Sequence, residues 1–217
     1  MKSGLSKYKF KKIAKESLIN ALRLHEDSIL LFNHSSFPSA FQMSVLALEE
    51  FAKAKWVDHY YYTSVTNDGF PDADFEQEWL KLLYYHPEKQ FAFIGKELFE
   101  YSPKFVKFIK KRKLELKKQQ SVYVGLERVK GTIDTDSRVS IPAKKIKEKD
   151  AKQLISLVNH EFIEVYRLIQ LQGDYWGVNE LDKVIDEDKY EILSNWTHKT
   201  GLKSRKWYKA HCINSED

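Results

Sequence analysis

The segment SVLALEEFAKAKW, residues 44–56, decides the class of fold that the sequence predicts. It contains no glycine or proline, and apolar residues recur along two sides of the helix that it would form. A helix that is apolar on two sides is covered by neighbours on both, so we expect it to be central in a bundle. The first stripe is Phe41, Val45, Leu48 and Ala52, and the second is Met43, Ala47 and Ala54.

Two carboxylates and one ammonium group interrupt this apolar segment within one helical turn. Glu49 and Lys53 are four residues apart, in the order that favours an ion pair along the helix surface. Glu50 projects about 100° away from Glu49, toward the second stripe, where a carboxylate needs a partner. Two interpretations stay open, a structural contact between helices or part of a functional site. We predict that Glu50 contacts His86 or Lys89 across a cleft.

The rest of the chain continues the helical pattern. Only 8 of the 217 residues are glycine and 5 are proline, which predicts an all-α fold with few turns. An irregular or extended excursion is expected around 121–145, where valine, threonine and glycine replace helix formers. The chain is expected to be one domain, 1–217, with its core at about 9–171 and short helices and a polar tail over 172–217. The predicted helices cover about 9–35, 37–62, 74–83 (capped by Asp74), 86–101, 103–120 and 147–171.

Composition limits the functional classes. The net charge of +5 permits contact with nucleic acid without requiring it. The single cysteine, Cys212, excludes an internal disulfide and favours a reducing cytoplasm. No stretch approaches the ~18 apolar residues of a membrane span, and no secretion signal follows the basic N-terminus, so we expect a soluble cytoplasmic protein without membrane contact.

Common motifs for metals and cofactors are missing from the sequence. It has no glycine-rich phosphate loop, no CxxC pair and no GxSxG motif. In NHEFIE (159–164), Glu164 stands where a zinc-binding motif of the zincin type has its second histidine. We therefore predict neither a metal nor a cofactor.

His86 and Lys89 lie in the segment YYHPEKQF, at the start of a predicted helix. Together with Glu50, the two side chains would form an acid–base or phosphate-binding cluster. The alternative is a histidine that caps the helix beside a solvated lysine. On the first interpretation His86 and Glu50 are catalytic, and Lys53 and Lys89 bind the substrate.

A basic run, KFVKFIKKRKLELKK, covers residues 104–118 and carries eight Lys or Arg against one Glu. Such a run most often forms a solvated helix face. The second interpretation is a stripe that contacts phosphates. On that interpretation Lys110, Lys111 and Arg112 bind the substrate.

The segment SRKWYKAH, residues 204–211, places Arg205 six residues before His211. On a helix the two lie on roughly one face, where Arg can hold a phosphate and His can exchange a proton. The lysines around them and the ring of Trp207 would suit RNA, because they combine charge with a stacking surface. The alternative is a chance match in a chain end, where order is least assured.

Several of these segments, taken in order, carry a resemblance to a known family. They are FPSAF before SVLALEEFAKA, then HPEK after a variable loop, then a basic helix that ends in QQSVYVGL, an extended piece with Pro142 and a final amphipathic helix. Together they cover most of residues 10–170. The chain resembles the AbiV family of bacterial abortive-infection proteins, a branch of the HEPN helical superfamily.

The resemblance implies a HEPN-like helical bundle and a role in defence against bacteriophage, in which the infected cell halts growth or translation. It implies that Glu50, Lys53, His86, Lys89 and Tyr123 are the family-motif positions most important for function. HEPN proteins are often metal-independent endoribonucleases that act as dimers, with Arg holding the scissile phosphate and His helping to activate the 2′-hydroxyl. Arg205 and His211 fit that spacing, although the HEPN motif normally begins a full core helix.

Three hypotheses follow. The first is a toxin-like effector that cleaves or blocks RNA of the translation machinery and acts as a homodimer, as is common in this superfamily. The second is a non-catalytic adaptor whose bundle binds a phage or host protein. The third is a housekeeping dimer without a defence role.

Overall fold

A computed structural model describes the protein over residues 4–67, 69–95, 97–126, 128–129, 132–172 and 184–212. The described chain is mostly helical, as the all-α prediction requires, and none of its helices is long and apolar enough to cross a membrane. A 3-10 helix, Leu98–Glu100, precedes α5. The helices are α1 (Lys7–Asn33), α2 (Phe37–Thr66), α3 (Ala73–Leu82), α4 (His86–Gly95), α5 (Pro103–Lys110), α6 (Lys113–Gln120), α7 (Pro142–Lys145), α8 (Glu148–Gln172), α9 (Glu187–Ser194) and α10 (Arg205–Cys212), and the strands are β1 (Arg128–Val129) and β2 (Thr132–Ile133).

Helix α2 is the centre of the bundle, as its two apolar stripes predict. It packs along α1 and also contacts α8, α4 and α6. Both stripes are buried except for Met43, which is partly buried. Phe51 lies between them and meets Phe93 of α4 and Phe162 of α8 edge-on, with ring centroids 5.9 and 5.2 Å apart. Edge-to-face pairs of this kind are a preferred aromatic geometry.

Side chains at the helix starts supply hydrogen-bond acceptors for the first backbone N–H groups. The Asp72 carboxylate accepts hydrogen bonds from the N–H groups of Asp74 and Phe75, at 3.0 and 2.8 Å. The prediction that Asp74 caps α3 is therefore wrong by two residues. Asp74 instead lies in the first turn, where a negative charge is also favourable.

The basic run is not one helix, and the prediction of a continuous helix to residue 120 is wrong. Arg112 adopts a left-handed conformation (φ 53°, ψ 23°) and separates α5 from α6. The change of direction lets Phe105 and Ile109 of α5 and Leu114 of α6 all face the core. The Arg112 guanidinium donates a hydrogen bond to the hydroxyl of Tyr85 at 3.1 Å, which helps to hold the turn. The helix that begins at His86 likewise ends earlier than predicted, at Gly95.

The segment 121–145 is largely extended or irregular, as predicted. Gly125 and Ser140 exchange two backbone hydrogen bonds, of 3.2 and 2.7 Å, which close the segment into a loop. Within the loop, β1 pairs antiparallel with β2. Helix α7 follows with Pro142 in its first turn, where proline needs no N–H partner.

The C-terminal arm, residues 200–212, is attached to the bundle by its backbone, by the buried ring of Trp207 and by one buried lysine. Backbone N–H groups of Ser102 and Ser204 donate hydrogen bonds to the carbonyls of Leu202 and Glu100, at 2.8 and 2.6 Å. Between them, the Lys203 side chain is 2% exposed, with its Nζ 2.7 Å from a Glu161 carboxylate oxygen and 3.1 Å from one of Glu100. Burial alone would lower the pKa of Lys203, but the charges and hydrogen bonds of Glu161 and Glu100 together outweigh burial and raise it.

His25 of α1 is a buried histidine that is kept neutral. Its Nε2 lies 2.9 Å from the Asn159 side-chain oxygen, and the Asn159 amide donates in turn to the Leu193 carbonyl. Burial lowers the pKa of His25 from 6.5 to about 4, although the hydrogen bond to Asn159 opposes the shift. The imidazole is therefore a structural link between α1, α8 and the end of α9.

We expect this histidine to make the protein less stable as the pH falls from about 6.5 toward 4. The unfolded chain binds a proton at His25 over that range and the folded chain does not, so acid favours unfolding. At pH 4.5 the expected loss is about 2–3 kcal/mol. Urea unfolding at pH 7 and pH 4.5 measures it, with His25→Gln as the non-titrating control. An equal pH dependence in both proteins would contradict the assignment.

Candidate functional site

A buried carboxylate on α2 organises the candidate site. Glu49 has no solvent exposure. Its two carboxylate oxygens accept hydrogen bonds from three side chains of α4 and α6. The distances are 2.6 Å to His86 Nδ1, 2.8 Å to Gln90 Nε2 and 2.8 Å to Lys118 Nζ. Three donors offset the cost of burying a carboxylate.

The predicted surface pair between Glu49 and Lys53 is therefore wrong. Helices α4 and α6 cover the side of α2 that carries Glu49, so this carboxylate lies between helices and Lys53 does not reach it. Lys53 pairs instead with Glu50, three residues before it, at 2.6 Å. The adjacent side chains of Glu49 and Glu50 thus lie in two different environments, one fully buried between helices and one partly exposed.

Glu50 lies in the less buried of these environments. Its carboxylate is 3.4 Å from Lys89 Nζ, which confirms the predicted contact with one of the two α4 residues, and 3.5 Å from the side-chain nitrogen of Asn20. Burial would raise the pKa of Glu50, but the hydrogen bond and charge of Lys53 and the charge of Lys89 lower it. His86 contacts Glu49 and not Glu50, so the predicted trio is divided between two carboxylates.

A second carboxylate, Glu115 of α6, extends the network around Glu49. Gln90 donates to Glu115 at 2.9 Å, and Lys118 lies 3.3 Å from it, so each donor connects the two carboxylates. Burial would raise the pKa of Glu115, but a hydrogen bond from Gln119 and the charge of Lys118 lower it. One ammonium group is thus shared by two partly or fully buried carboxylates.

His86 is the member of this network that reaches solvent. Its side chain is 47% exposed. It lines a groove of about 900 Å³, which we call the first groove, together with Glu115, Lys118 and Tyr123. Because Glu49 binds Nδ1, the carboxylate fixes the ring, favours a proton on Nδ1 and leaves Nε2 as the nitrogen that can accept one. A carboxylate behind an imidazole is an arrangement that serves general-base chemistry.

Apolar side chains from the loop after α6 form one wall of the first groove. Tyr123 is 69% exposed, and its neighbours are exposed as well. A cluster of exposed apolar side chains beside polar residues is typical of a binding surface. The exposed apolar residues of this wall are Val122, Tyr123, Val124, Leu126 and Ile133.

A second groove, of about 580 Å³, brings the two basic segments of the sequence together. Lys107 and Lys110 of α5 and Lys111, which directly follows α5, line it on one side, and Lys206 of α10 lines it on the other. Phe99 of the 3-10 helix, also in the lining, is 68% exposed. The basic run and the C-terminal arm, about a hundred residues apart in sequence, therefore contribute to one surface.

The remaining predicted site residues have different surroundings. Arg205 is exposed at the first position of α10, and the side chain of His211 lies outside the described part of the structure, so the pairing of Arg205 with His211 stays a prediction. Arg112 is exposed at the turn between α5 and α6. Trp207 is buried, with its ring 4.3 Å from that of His160, and so presents no open face for a nucleobase.

Three members of the site, Glu49, Gln90 and Glu115, were not predicted as functional residues, and Lys118 was predicted only as part of a basic run. A signal for Gln90 existed, because it follows the HPEK segment directly and lies one turn after His86. Among the described residues, no group of three or more His, Cys, Asp or Glu side chains is arranged to hold a metal ion.

Comparison with known proteins identifies one family. A family model described as AbiV, of the HEPN type, matches residues 9–162, which is well over half of the chain. The matched range contains the whole Glu49 network and the basic run, and ends before α9 and α10. No curated protein matches the chain. No solved structure matches it either.

Proposed function

Because the chain belongs to the AbiV family, we propose that it acts in abortive infection by cleaving RNA in the first groove. Family membership indicates the broader role, which is defence against bacteriophage by arrest of the infected cell. The cleavage step is supported by one observation, the contact between the buried Glu49 carboxylate and the half-exposed imidazole of His86. In this contact Nδ1 of His86 is held by Glu49, and Nε2 is the nitrogen that can accept a proton from a substrate.

In the proposed reaction, His86 acts as a general base and Glu49 as the residue that positions it. Nε2 of His86 takes the proton of a ribose 2′-hydroxyl, and the 2′-oxygen forms a bond to the adjacent phosphorus. The bond from phosphorus to the 5′-oxygen breaks, that oxygen takes a proton from water, and the hydroxide so formed takes the proton held by Nε2 of His86, which restores the base. The products are a 2′,3′-cyclic phosphate and a 5′-hydroxyl. RNA supplies its own nucleophile, which is why the 2′-hydroxyl makes RNA the fitting substrate.

We expect His86→Ala to lower the rate of RNA cleavage by about 10²–10⁴-fold, the usual contribution of a general base. Purified protein is incubated with total RNA, and the new ends are tested for cyclic phosphate. His86→Ala also removes one of the three donors to the buried Glu49 carboxylate, so urea unfolding must show that the variant is folded before its cleavage rate is compared with that of the wild type. Glu49→Gln should give an intermediate loss, with circular dichroism to check its fold. His34→Ala, which removes an exposed imidazole at the end of α1, is the matched control.

The same experiment separates the two histidines that the sequence offers. Cleavage that survives in His86→Ala and is lost in His211→Ala would contradict the role of His86 and favour the Arg205–His211 motif. Loss in His86→Ala alone would support the groove. Absence of cleavage by the wild-type protein at every concentration would contradict a ribonuclease.

A non-catalytic adaptor is the second candidate function, and the apolar wall of the first groove favours it. Tyr123 and Val124 are both strongly exposed, as expected of a surface that binds another protein. On this alternative the chain binds a phage or host protein through that wall, and the Glu49–His86 contact only supports the groove. Growth arrest that persists in His86→Ala after phage infection, without RNA cleavage, would favour the adaptor.

A further inference from the structure

The second groove combines positive charge from two distant segments of the chain. Lys110 is the last residue of α5 and Lys111 follows it, and Lys206 is the second residue of α10. The contact between Lys203 and Glu161 fixes the C-terminal arm, so it holds Lys206 opposite α5. Each segment alone could be an ordinary solvated face. Two independent solvated faces would not explain why both segments converge on one groove.

Within the described part of the chain, the positive charge of this groove has no acidic partner. Lys107, Lys110, Lys111 and Lys206 form no ion pair with any residue that the structure describes. Nearby Glu100 is already engaged by Lys203, whose ammonium group is buried. Four ammonium groups around one concave surface, with no ion pair among the described residues, create a field that attracts a polyanion.

Phe99 adds an aromatic surface to the charge. The ring is 68% exposed although phenylalanine is normally buried, and it lines the groove beside Lys107 and Lys110. An exposed ring among lysines is the combination with which proteins hold single-stranded nucleic acid, since the bases stack and the phosphates pair. A duplex would offer phosphates but no free base for this ring.

We propose that the second groove binds single-stranded nucleic acid, with phosphates on the four lysines and a base stacked on Phe99. The assignment of this groove rests on the proposed function in one respect: if the protein cleaves RNA, the strand that the groove binds in the cell is RNA. The groove presents ammonium groups and a ring, which read neither base sequence nor the ribose hydroxyl. Short RNA and DNA strands of the same length are therefore expected to bind with similar affinity, and duplexes more weakly.

Fluorescence anisotropy of the full chain with labelled oligouridine tests the assignment. The double variant Lys110→Glu/Lys206→Glu should bind more weakly, and the dependence of log affinity on log salt should flatten by about 1.4, at about 0.7 for each phosphate that a lysine no longer neutralises. Phe99→Ala should weaken binding about 5- to 150-fold with the salt dependence unchanged. The control is Lys144→Glu/Lys149→Glu, which makes the same charge change at exposed lysines outside the groove.

Binding that falls equally in the groove and control variants would overturn the proposal, because net charge alone would then explain it. Unchanged binding in the groove variants, or tighter binding of duplex than of single strand, would overturn it as well. The outcome is separable from that of the cleavage experiment. Loss of cleavage in His86→Ala with intact oligouridine binding leaves this groove assignment standing.

Discussion

Replacing Lys118 by methionine is expected to lower the free energy of unfolding by about 3–5 kcal/mol at neutral pH. Lys118 is the buried ammonium group that contacts both Glu49 and Glu115, at 2.8 and 3.3 Å. Methionine has a similar length and no charge, so the variant keeps the volume and leaves two carboxylates facing each other. Urea unfolding, followed by circular dichroism, measures the change.

Two further results distinguish the charge effect from a packing effect. Repulsion between the carboxylates favours proton uptake by the folded variant, so its loss of stability relative to the wild-type protein should shrink as the pH falls, whereas the effect of His25 is the same in both proteins. Adding Glu49→Gln to Lys118→Met should restore much of the lost stability, because one charge of the remaining pair is removed. A variant that loses less than about 1 kcal/mol would show that this contact contributes no more than an exposed pair.

Replacing Lys203 by methionine is expected to detach the C-terminal arm and to cost about 3–5 kcal/mol. Burial would raise the pKa of Glu161, but the charges of Lys203 and Lys55 together lower it, and the substitution removes the nearer of the two charges. Tyr101 also donates a hydrogen bond to Glu161, at 3.2 Å, but a neutral donor does not replace the ammonium group. Hydrogen exchange of residues 200–212 should accelerate more than exchange in α2.

The matched control is Lys81→Met, which removes a lysine from an ion pair with Glu78 whose two side chains are both mostly exposed. That pair is expected to contribute about 0–1 kcal/mol. If Lys203→Met and Lys81→Met have the same effect, Lys203 does not hold the arm. If both the arm and α2 exchange faster, the ammonium group stabilises the whole bundle and not one attachment.

The sequence predicts the bundle well because the apolar stripes of α2 and α8 are long and regular. Along α8 the apolar residues that recur at helical spacing are all buried: Leu154, Val158, Phe162, Val165 and Ile169. The ends of helices are harder to predict where no glycine or proline marks them. Arg112 turns the chain in a left-handed conformation, and the run of lysines around it gives no sequence signal for that turn. The turn is required only because both flanking helices pack against the core.

The site was predicted only in part, for a related reason. Glu49 and Glu50 are adjacent, and their burial depends on which helices cover each side of α2, a tertiary fact that helical spacing cannot supply. The sequence correctly indicated that an acidic residue of this turn meets the HPEK segment, and the Glu50–Lys89 contact is the one predicted. It could not show that Lys118, more than sixty residues away, would lie against the neighbouring glutamate.

The C-terminal arm has a thermodynamic consequence for any ligand of the second groove. Lys206 lies opposite α5 only while the arm is attached, so a strand that bridges the two sides binds the attached form in preference to the detached one. Linkage then requires the reverse effect, in which ligand raises the population of the attached form. Saturating oligonucleotide should therefore slow proteolysis of the arm. A fused partner that favours detachment of the arm should lower the affinity of the groove for the strand.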